Sequence, residues 1–170
     1  MDLIETIYAR RSIRKFLEKE VETEKINTLL KLAMAAPSAM NRTPWEFYVI
    51  SNQSLLDSIL NSEFKVLRYQ APVAILVCGN QNHFLLEDKR DFWMQDCSAA
   101  VENILLGATS LGLGSVWCGI TPAVKKVGFV KNLLSLDENI IPFALIYIGY
   151  PNEEKEPRTQ YDENKVHYVK

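Results

Sequence analysis

Hydrophobic residues recur with a helical period in the first part of the chain. A short first helix is predicted by three apolar residues on one face. They are Ile4, Ile7 and Tyr8. A second helix is predicted by an apolar stripe with i, i+3, i+4, i+7 and i+8 spacing. Its members are Ile26, Leu29, Leu30, Ala33 and Met34. Thr23 is expected to cap this second helix, and Pro37 should end it near Ala36, because a residue before proline avoids helical geometry.

Four apolar runs predict strands, because they are too short for helices and are bounded by turn residues. They cover residues 45–50, 72–78, 115–119 and 140–148. The run at 72–78 is apolar without alternation, so this strand is expected to be buried on both faces. A short helix is predicted to begin at Ser54. Residues 80–90 are polar and give no clear prediction.

A long, strongly apolar helix is predicted over residues 92–111, and the glycines that follow end it in the manner of a C-cap. Its many small residues allow close approach of another helix, including one from another subunit. Thr121 and Pro122 are predicted to start a further helix as its cap and first residue. Residues 150–170 are polar, cannot form a core of their own and need a surface to lie on.

Helices and strands are mixed along the chain without the regular alternation of a doubly wound parallel sheet. This mixture favours an α+β fold in which helices pack around a sheet. The 170 residues contain no repeat, low-complexity stretch or interdomain linker. A single domain over residues 1–170 is therefore expected.

Charge and hydropathy exclude several classes of function. With 48% hydrophobic residues and a net charge of -2, the chain has the composition of a globular protein without a general attraction to nucleic acid. No apolar run reaches the roughly 18 residues of a membrane span. Residues 1–5 are acidic and amphipathic, so we expect no signal peptide and a cytoplasmic protein. Cys78, Cys97 and Cys118 form no CxxC pair and are expected to be buried hydrophobes, without a metal site.

A cluster of basic residues follows the first helix and is the first candidate for chemistry. Arg10, Arg11 and Arg14 lie close together, with a hydroxyl at Ser12. Arginine binds phosphate through paired, charge-assisted hydrogen bonds, and serine adds a neutral donor. The alternative is a solvated turn whose positive charge suits the end of a helix. This segment alone leaves both interpretations open.

Two further segments are less specific. The loop from Pro37 to Pro44 offers small residues, a hydroxyl at Ser38 and an amide at Asn41, which would let backbone approach a flat ligand. Taken alone, it is better interpreted as a plain connection. Residues 112–119 are rich in glycine but follow a helix and precede a strand, whereas a dinucleotide fingerprint has the opposite order. A Rossmann site is therefore rejected.

No set of side chains suggests acid–base or nucleophilic catalysis. Asp96 lies in the long helix and is interpreted as structural, and the acidic pairs at 87–88 and 153–154 as solvated. Lys155 is also expected in a solvated tail, while Arg158 could return to an anion. A phosphate-binding turn without an acid–base pair suits a cofactor that brings its own chemistry.

Taken together, these segments make the chain resemble the nitroreductase family, specifically its short members. The match extends from Met1 to about Tyr168, nearly the whole chain. It depends on the order and spacing of segments at 10–16, 36–41, 44–45, 71–73, 112–115, 148–151 and 162–168. Thr43 departs from the pattern, because relatives often have glutamine before the Pro-Trp pair.

The resemblance implies an FMN-binding α+β fold, with a central, mostly antiparallel sheet surrounded by helices, and an interlocked homodimer with two sites at its interface. The residues that it assigns to the phosphate, ribityl chain and pyrimidine edge of FMN are Arg10, Arg11, Ser12, Arg14, Lys65 and Arg158. Those that it assigns to the flavin of the opposite subunit are Pro37, Ser38, Ala39 and Asn41. Those along the isoalloxazine ring are Val116, Trp117, Cys118 and Gly119. It implies no catalytic side chain, only a backbone N–H of Cys118 or Gly119 near the flavin N5.

As a function, the resemblance implies NAD(P)H-dependent, ping-pong reduction of a flat, electron-poor small molecule, such as a nitroaromatic or a quinone. Similar scaffolds also reduce enones, remove iodide from tyrosines or fragment the flavin. A flavin-binding regulatory or storage module without turnover, and a structural dimer whose basic turn binds only solvent anions, are the remaining alternatives. The sequence has no pyridine-nucleotide motif and does not separate NADH from NADPH.

Overall fold

The computed structural model describes residues 1–84 and 92–170, and its centre is a four-stranded sheet. The strands are β1 (Trp45–Ile50), β2 (Val73–Asn80), β3 (Gly114–Gly119) and β4 (Ile140–Gly149). They lie in the order β1-β2-β4-β3, and each neighbouring pair is antiparallel. The predicted strands and the predicted α+β class are confirmed. The acidic pair at 87–88 lies outside the described residues.

Helices pack on both faces of this sheet. They are α1 (Leu3–Ala9), α2 (Thr23–Met34), α3 (Gln53–Leu60), α4 (Phe92–Ser110) and α5 (Val124–Leu134). Buried residues of α2 and α4 form one core with the sheet, and buried residues of α3 and α5 form a second core on the other face. The first, second and long helices are thus where the periodicity predicts them.

Strand β2 belongs to both cores. All of its residues are buried, which confirms the prediction from its unbroken apolar run. Ile75 packs in the core that contains Leu29 and Ile104, whereas the adjacent Leu76 packs in the core that contains Ile59. Burying a side chain of this size contributes about 1.5–3 kcal/mol, so this strand is the main apolar support of the sheet.

Two predicted helix starts are displaced by one residue. Thr23 is the first residue of α2 rather than its cap, and the N-cap position is taken by Glu22. Helix α3 starts one residue before Ser54, because the Asn52 side chain already accepts a hydrogen bond from the backbone N–H of Leu55 at 3.2 Å. Asparagine is one of the preferred N-cap residues.

The prediction that Thr121 and Pro122 start a helix is wrong. The Thr121 hydroxyl donates to the carbonyl of Pro142 at 2.7 Å, and its backbone N–H donates to the carbonyl of Phe143 at 3.1 Å. These bonds prolong the contact with β4, so the backbone at Thr121 stays beside the sheet and no helix starts there. Helix α5 begins only at Val124.

Several large apolar side chains stay exposed near the two ends of the chain. On the first helix and the C-terminal segment they include Leu3, Ile4, Ile7, Tyr8, Tyr161, Tyr168 and Val169. Met34, predicted on the core-facing stripe of α2, is also exposed. The expectation that the polar C-terminal segment forms no core of its own is confirmed, since nearly all of residues 151–170 are exposed. None of the described helices is long and apolar enough to span a membrane.

Adding one methyl group at Gly79 tests the packing of the first core. A Cβ there would come within 2.8 Å of Trp93 Cζ3 and 2.9 Å of Phe84 Cζ. The Trp93 ring cannot move aside freely, because it stacks on Phe84 with centroids 4.9 Å apart and meets Phe143 edge-on at 5.8 Å. We expect Gly79→Ala to lower the free energy of unfolding by about 1–3 kcal/mol in urea titrations.

The matched control is Gly128→Ala on α5. A Cβ at Gly128 would meet no described atom within 4 Å. Alanine restricts the unfolded chain and favours the helix, so this variant should gain about 0.5–1 kcal/mol. Equal effects of the two substitutions would contradict the packing described around Trp93.

Candidate functional site

The basic turn after α1 lies against the free edge of the sheet. In the described sheet β3 is an edge strand, with β4 as its neighbour. Ser12 forms a parallel bridge with Ser115 at the start of β3, and the backbone N–H of Ile13 donates to the Ser115 carbonyl at 2.9 Å. Glycine at position 114 permits this approach, because a Cβ would come within 2.8 Å of the Ile13 side chain.

The segment that follows β4 returns to the same turn. The backbone N–H of Asn152 donates to the carbonyl of Lys15 at 2.9 Å. Farther along, the backbone N–H of Arg158 donates to the carbonyl of Tyr8, in the last turn of α1, at 3.0 Å. Residues from the two ends of the sequence therefore meet beside β3.

The Glu153 carboxylate holds the turn in place. It accepts hydrogen bonds from the backbone N–H groups of Arg14 at 2.5 Å and Lys15 at 3.2 Å, and forms an ion pair with Lys155 at 3.1 Å. The hydrogen bond from Arg14, supported by Lys155, lowers the pKa of the Glu153 carboxyl from its ordinary value. The expectation that Glu153 is solvated is therefore wrong.

Five basic residues belong to the segments that meet at the turn, and we call them the basic cluster. The basic cluster consists of Arg10, Arg11, Arg14, Lys155 and Arg158. Arg10 Nε lies 3.5 Å from a carboxylate oxygen of Glu102 on α4, and the Arg11 guanidinium donates to the carbonyl of Glu156. The structure thus brings together the arginines on both sides of Ser12 and the distant Arg158.

The prediction that Lys155 lies in a solvated tail is wrong. Its ammonium group donates to the carbonyl of Ser12 at 2.5 Å, and its side chain is only 22% exposed. On the other side of the turn, Arg14 Nε donates to the hydroxyl of Tyr69 at 3.3 Å. The backbone of the turn is therefore flanked by an ammonium and a guanidinium group.

Hydrogen bonding along β3 shows which of its peptide groups face outward. In an antiparallel strand the N–H and C=O of one residue point the same way, and successive residues alternate. The Ser115 carbonyl accepts from the turn, and the Gly119 carbonyl accepts from Lys126 Nζ at 2.7 Å. Trp117 and Gly119 therefore direct their N–H groups away from β4, whereas Cys118 directs its N–H toward β4.

The side chains of β3 follow the same alternation. Val116 and Cys118 are buried in the second core, while Trp117 is 37% exposed. Gly119 is exposed, and a Cβ there would meet no described atom within 4 Å. Burial raises the pKa of the Cys118 thiol to about 12, so the thiol stays protonated at neutral pH. All three cysteines are free and buried, as predicted.

The loop between α2 and β1 has an unusual backbone. Met40, Asn41 and Thr43 have φ angles of 52°, 53° and 45°, in the left-handed region that non-glycine residues rarely adopt. Each such residue costs about 1–2 kcal/mol. The Ser38 hydroxyl offsets part of this cost by accepting the backbone N–H of Thr43 at 2.9 Å.

Asp96 of α4 anchors this loop. Its buried carboxylate accepts the backbone N–H of Ala39 at 2.9 Å, which agrees with the structural role predicted for it. Burial raises the pKa of the Asp96 carboxyl, and the hydrogen bond from Ala39 opposes that change. Among the described residues, the hydrogen bonds of residues 38–43 run to one another and to Asp96, and none reaches the basic cluster.

Lys65, which the family resemblance assigns to the flavin, is exposed in a short 3-10 turn (Lys65–Leu67) that contacts β3. Other residues were not assigned to this site from the sequence. Lys155 carried a signal, since it follows the last strand and stands three residues before Arg158. Tyr69 and Lys126 carried none, because their partners are brought to them only by the fold.

Comparison with known proteins identifies close relatives. The chain matches the family model described as "Nitroreductase family" over residues 7–69 and 65–150. It is 43% identical over 171 residues to a protein of Methanothermobacter thermautotrophicus named "Putative NADH dehydrogenase/NAD(P)H nitroreductase". That alignment covers 100% of this chain and 88% of the relative.

Solved structures show the same fold. A protein of the same name from Bacteroides thetaiotaomicron is 41% identical, with a TM-score of 0.88 over 98% of this chain and 96% of that one. A structure from Desulfovibrio desulfuricans, described as "a putative nitroreductase in complex with fmn", is 28% identical, with a TM-score of 0.80. The aligned region covers 98% of this chain and 96% of that chain.

Replacing Glu153 by glutamine tests the carboxylate that holds the turn. Because the pKa is lowered by folding, the stability it contributes is present above the ordinary carboxyl pKa and is lost as the pH falls through the lowered value. We expect Glu153→Gln to cost about 1 kcal/mol at neutral pH, the difference between a charged and a neutral hydrogen bond. Urea titrations from neutral pH to about pH 3 measure this difference and should show it vanish in acid.

The exposed neighbour Glu154 supplies the control. Glu154→Gln makes the same change of charge one residue away, and its unfolding free energy should follow that of the wild type at every pH. A constant offset between Glu153→Gln and wild type across the titration would show that the Glu153 charge does not hold the turn.

Proposed function

The chain belongs to the nitroreductase family, and from this we infer that it is an NAD(P)H-dependent flavin oxidoreductase whose cofactor is FMN. The observation that carries the proposal is the convergence of residues 10–14 and Lys155 at the open edge of β3. When bound, FMN supplies the redox chemistry, accepting a hydride from NADH or NADPH and passing the electrons to an acceptor. The residues of the chain bind the cofactor, orient it and set the charge around it.

The basic cluster suits the phosphate of FMN in charge and in donors. Arg10 and Arg11 follow α1, and Arg158 is bonded through its backbone to the last turn of that helix. Guanidinium groups bind phosphate by paired, charge-assisted hydrogen bonds, and the Ser12 hydroxyl adds a neutral donor. The partly exposed pair of Arg10 with Glu102 can give way to a phosphate at small cost, since such pairs contribute little.

The open edge of β3 suits the isoalloxazine ring. Trp117 and Gly119 direct backbone N–H groups outward there, and glycine leaves free the space that a side chain would fill. Of the two amides that the resemblance offers to the flavin N5, we favour Gly119, because the N–H of Cys118 faces β4. Arg14 and Lys65 are proposed at the pyrimidine edge, where positive charge stabilises the negative charge that develops on reduction.

A second copy of the chain is proposed to complete each site. Large apolar side chains on α1 and near the C-terminus are exposed in the single chain, and a second copy would cover them. The anchored loop would then serve the flavin of the opposite subunit through Pro37, Ser38, Ala39 and Asn41. This arrangement explains why the loop makes no hydrogen bond to the basic cluster of its own described chain.

The acceptor is proposed to be a flat, electron-poor small molecule, such as a nitroaromatic or a quinone. One open face beside β3 would receive the nicotinamide and the acceptor in turn, which gives ping-pong kinetics. Stacking selects flat molecules without reading their substituents closely, and this supports a broad acceptor range. Flavin binding without turnover gives a different outcome in the anaerobic titration. Enone reduction, dehalogenation and flavin fragmentation on the same scaffold are the alternative reactions.

Anaerobic titration of the purified protein with NADH and with NADPH tests the proposal. We expect the protein to carry FMN, and at least one nucleotide to bleach its visible flavin absorbance. Adding a nitroaromatic, a quinone or an enone should then restore the absorbance in proportion to the acceptor consumed. A flavin that neither nucleotide reduces would instead indicate a binding module, and a protein that does not retain added FMN would contradict the proposal altogether.

Gly119→Leu tests the position proposed for the ring. A Cβ at this exposed glycine meets no described atom within 4 Å, so we expect the fold to keep its melting temperature in the absence of FMN. The added side chain fills the edge proposed for the ring, and FMN retention should fall sharply. Normal FMN binding by Gly119→Leu would show that the ring lies elsewhere.

A further inference from the structure

Lys126 connects the first turn of α5 to the outward-facing end of β3. Its ammonium group donates to the Gly119 carbonyl at 2.7 Å, and the residue is partly buried. The neighbouring Lys125 is exposed. Both lysines occupy the first turn of a helix that has no acidic residue there, although the helix dipole disfavours positive charge at this end. A cation kept at an unfavourable position and used in a specific contact indicates a role beyond helix stability.

The peptide group that Lys126 holds lies at the open end of β3. Gly119 is the last residue of β3, has no side chain and lies next to empty space. Its carbonyl and N–H point the same way, away from β4. The next residue, Ile120, is tied back to the sheet through its N–H, which donates to the Phe143 carbonyl at 3.0 Å. Fixing the Gly119 carbonyl therefore limits the remaining freedom of the peptide groups at this end of the strand.

Lys126 also contributes positive charge to this end of β3. Together with Arg14, it opposes the rise that burial causes in the pKa of the Cys118 thiol. Arg14 reaches this place from the N-terminal turn and Lys126 from α5, so two cations from opposite sides act on the same few residues. Both cations therefore contribute positive potential at this end of β3.

We propose that Lys126 is a positioning residue of the cofactor site, which holds the Gly119 peptide at the open edge of β3 and supplies positive charge that favours the reduced flavin. This inference rests on the proposed function, because it requires the ring to lie along that edge. It differs from the roles of Arg14 and Lys65, since Lys126 acts through a backbone carbonyl and comes from a helix that the family resemblance did not single out.

Three variants separate the hydrogen bond to the Gly119 carbonyl from the positive charge of Lys126. Lys126→Met removes both and keeps the length of the side chain, whereas Lys126→Arg keeps the charge and a donor. Lys125→Met makes the same change of net charge one residue away, on an exposed side chain. Two quantities are measured for each: hydrogen exchange of the Ile120 amide without FMN, and the two-electron reduction potential of the FMN-loaded protein.

In Lys126→Met, we expect exchange of the Ile120 amide, which shares a peptide group with the Gly119 carbonyl and bonds to Phe143, to rise about tenfold, because local opening becomes easier. We also expect the affinity for reduced FMN to fall about tenfold more than that for oxidised FMN, which lowers the potential by about 30 mV. Lys126→Arg should restore most of both values, and Lys125→Met should match the wild type.

The outcomes distinguish this inference from the function on which it rests. If wild-type protein holds FMN but Lys126→Met keeps the wild-type potential, or if Lys125→Met shifts it equally, the inference is overturned and the proposed function stands. If the wild type holds no FMN, both are overturned. Faster exchange of the Ile120 amide with an unchanged potential would reduce Lys126 to a structural contact between α5 and β3 and reject the role proposed here.

Discussion

The contact between the N-terminal turn and the free edge of β3 is the constraint on which the rest of the site depends. The hydrogen bond from Ile13 to the Ser115 carbonyl covers the first part of that edge and leaves the part from Trp117 to Gly119 open. It also fixes the position of the turn that carries Arg10, Arg11 and Arg14. Since this hydrogen bond joins backbone to backbone, it requires no particular side chain. It requires only a glycine at position 114, which lets the two segments meet.

Clustering cations around one turn is electrostatically costly, and the fold offsets this cost locally. Glu153 accepts hydrogen bonds from two backbone N–H groups of the turn and forms an ion pair with Lys155. Glu102 of α4 forms an ion pair with Arg10. These carboxylates hold Lys155 and Arg10 through ion pairs and the backbone of the turn through hydrogen bonds. An incoming phosphate therefore meets groups that are already oriented, which is the physical advantage of a preorganised site.

Much of this architecture was predictable from local patterns. The apolar run of β2 and the stripe on α2 specify buried surfaces directly, so the sheet, the long helix and the α+β class followed from them. Contacts between distant residues were not predictable in this way. Thr121 caps no helix because its hydroxyl and backbone N–H bond to β4 and keep it beside the sheet. Lys155 is held rather than solvated because the last segment folds back over Ser12. Spacing in the sequence does not report such partners, and for Lys126 it gave no signal at all.

The site as a whole requires that the basic cluster bind the phosphate of the cofactor, and a comparison of FMN with riboflavin measures this most directly. Riboflavin has the same ring and ribityl chain but lacks the phosphate, so the ratio of the two dissociation constants isolates the contribution of that group. With two or more charged hydrogen bonds of about 1.5–3 kcal/mol each, FMN should bind at least about a hundredfold more tightly. Arg10→Ala should reduce that ratio about tenfold or more by removing one of them. Equal affinity for FMN and riboflavin in the wild-type protein would contradict the assignment of the cluster to phosphate.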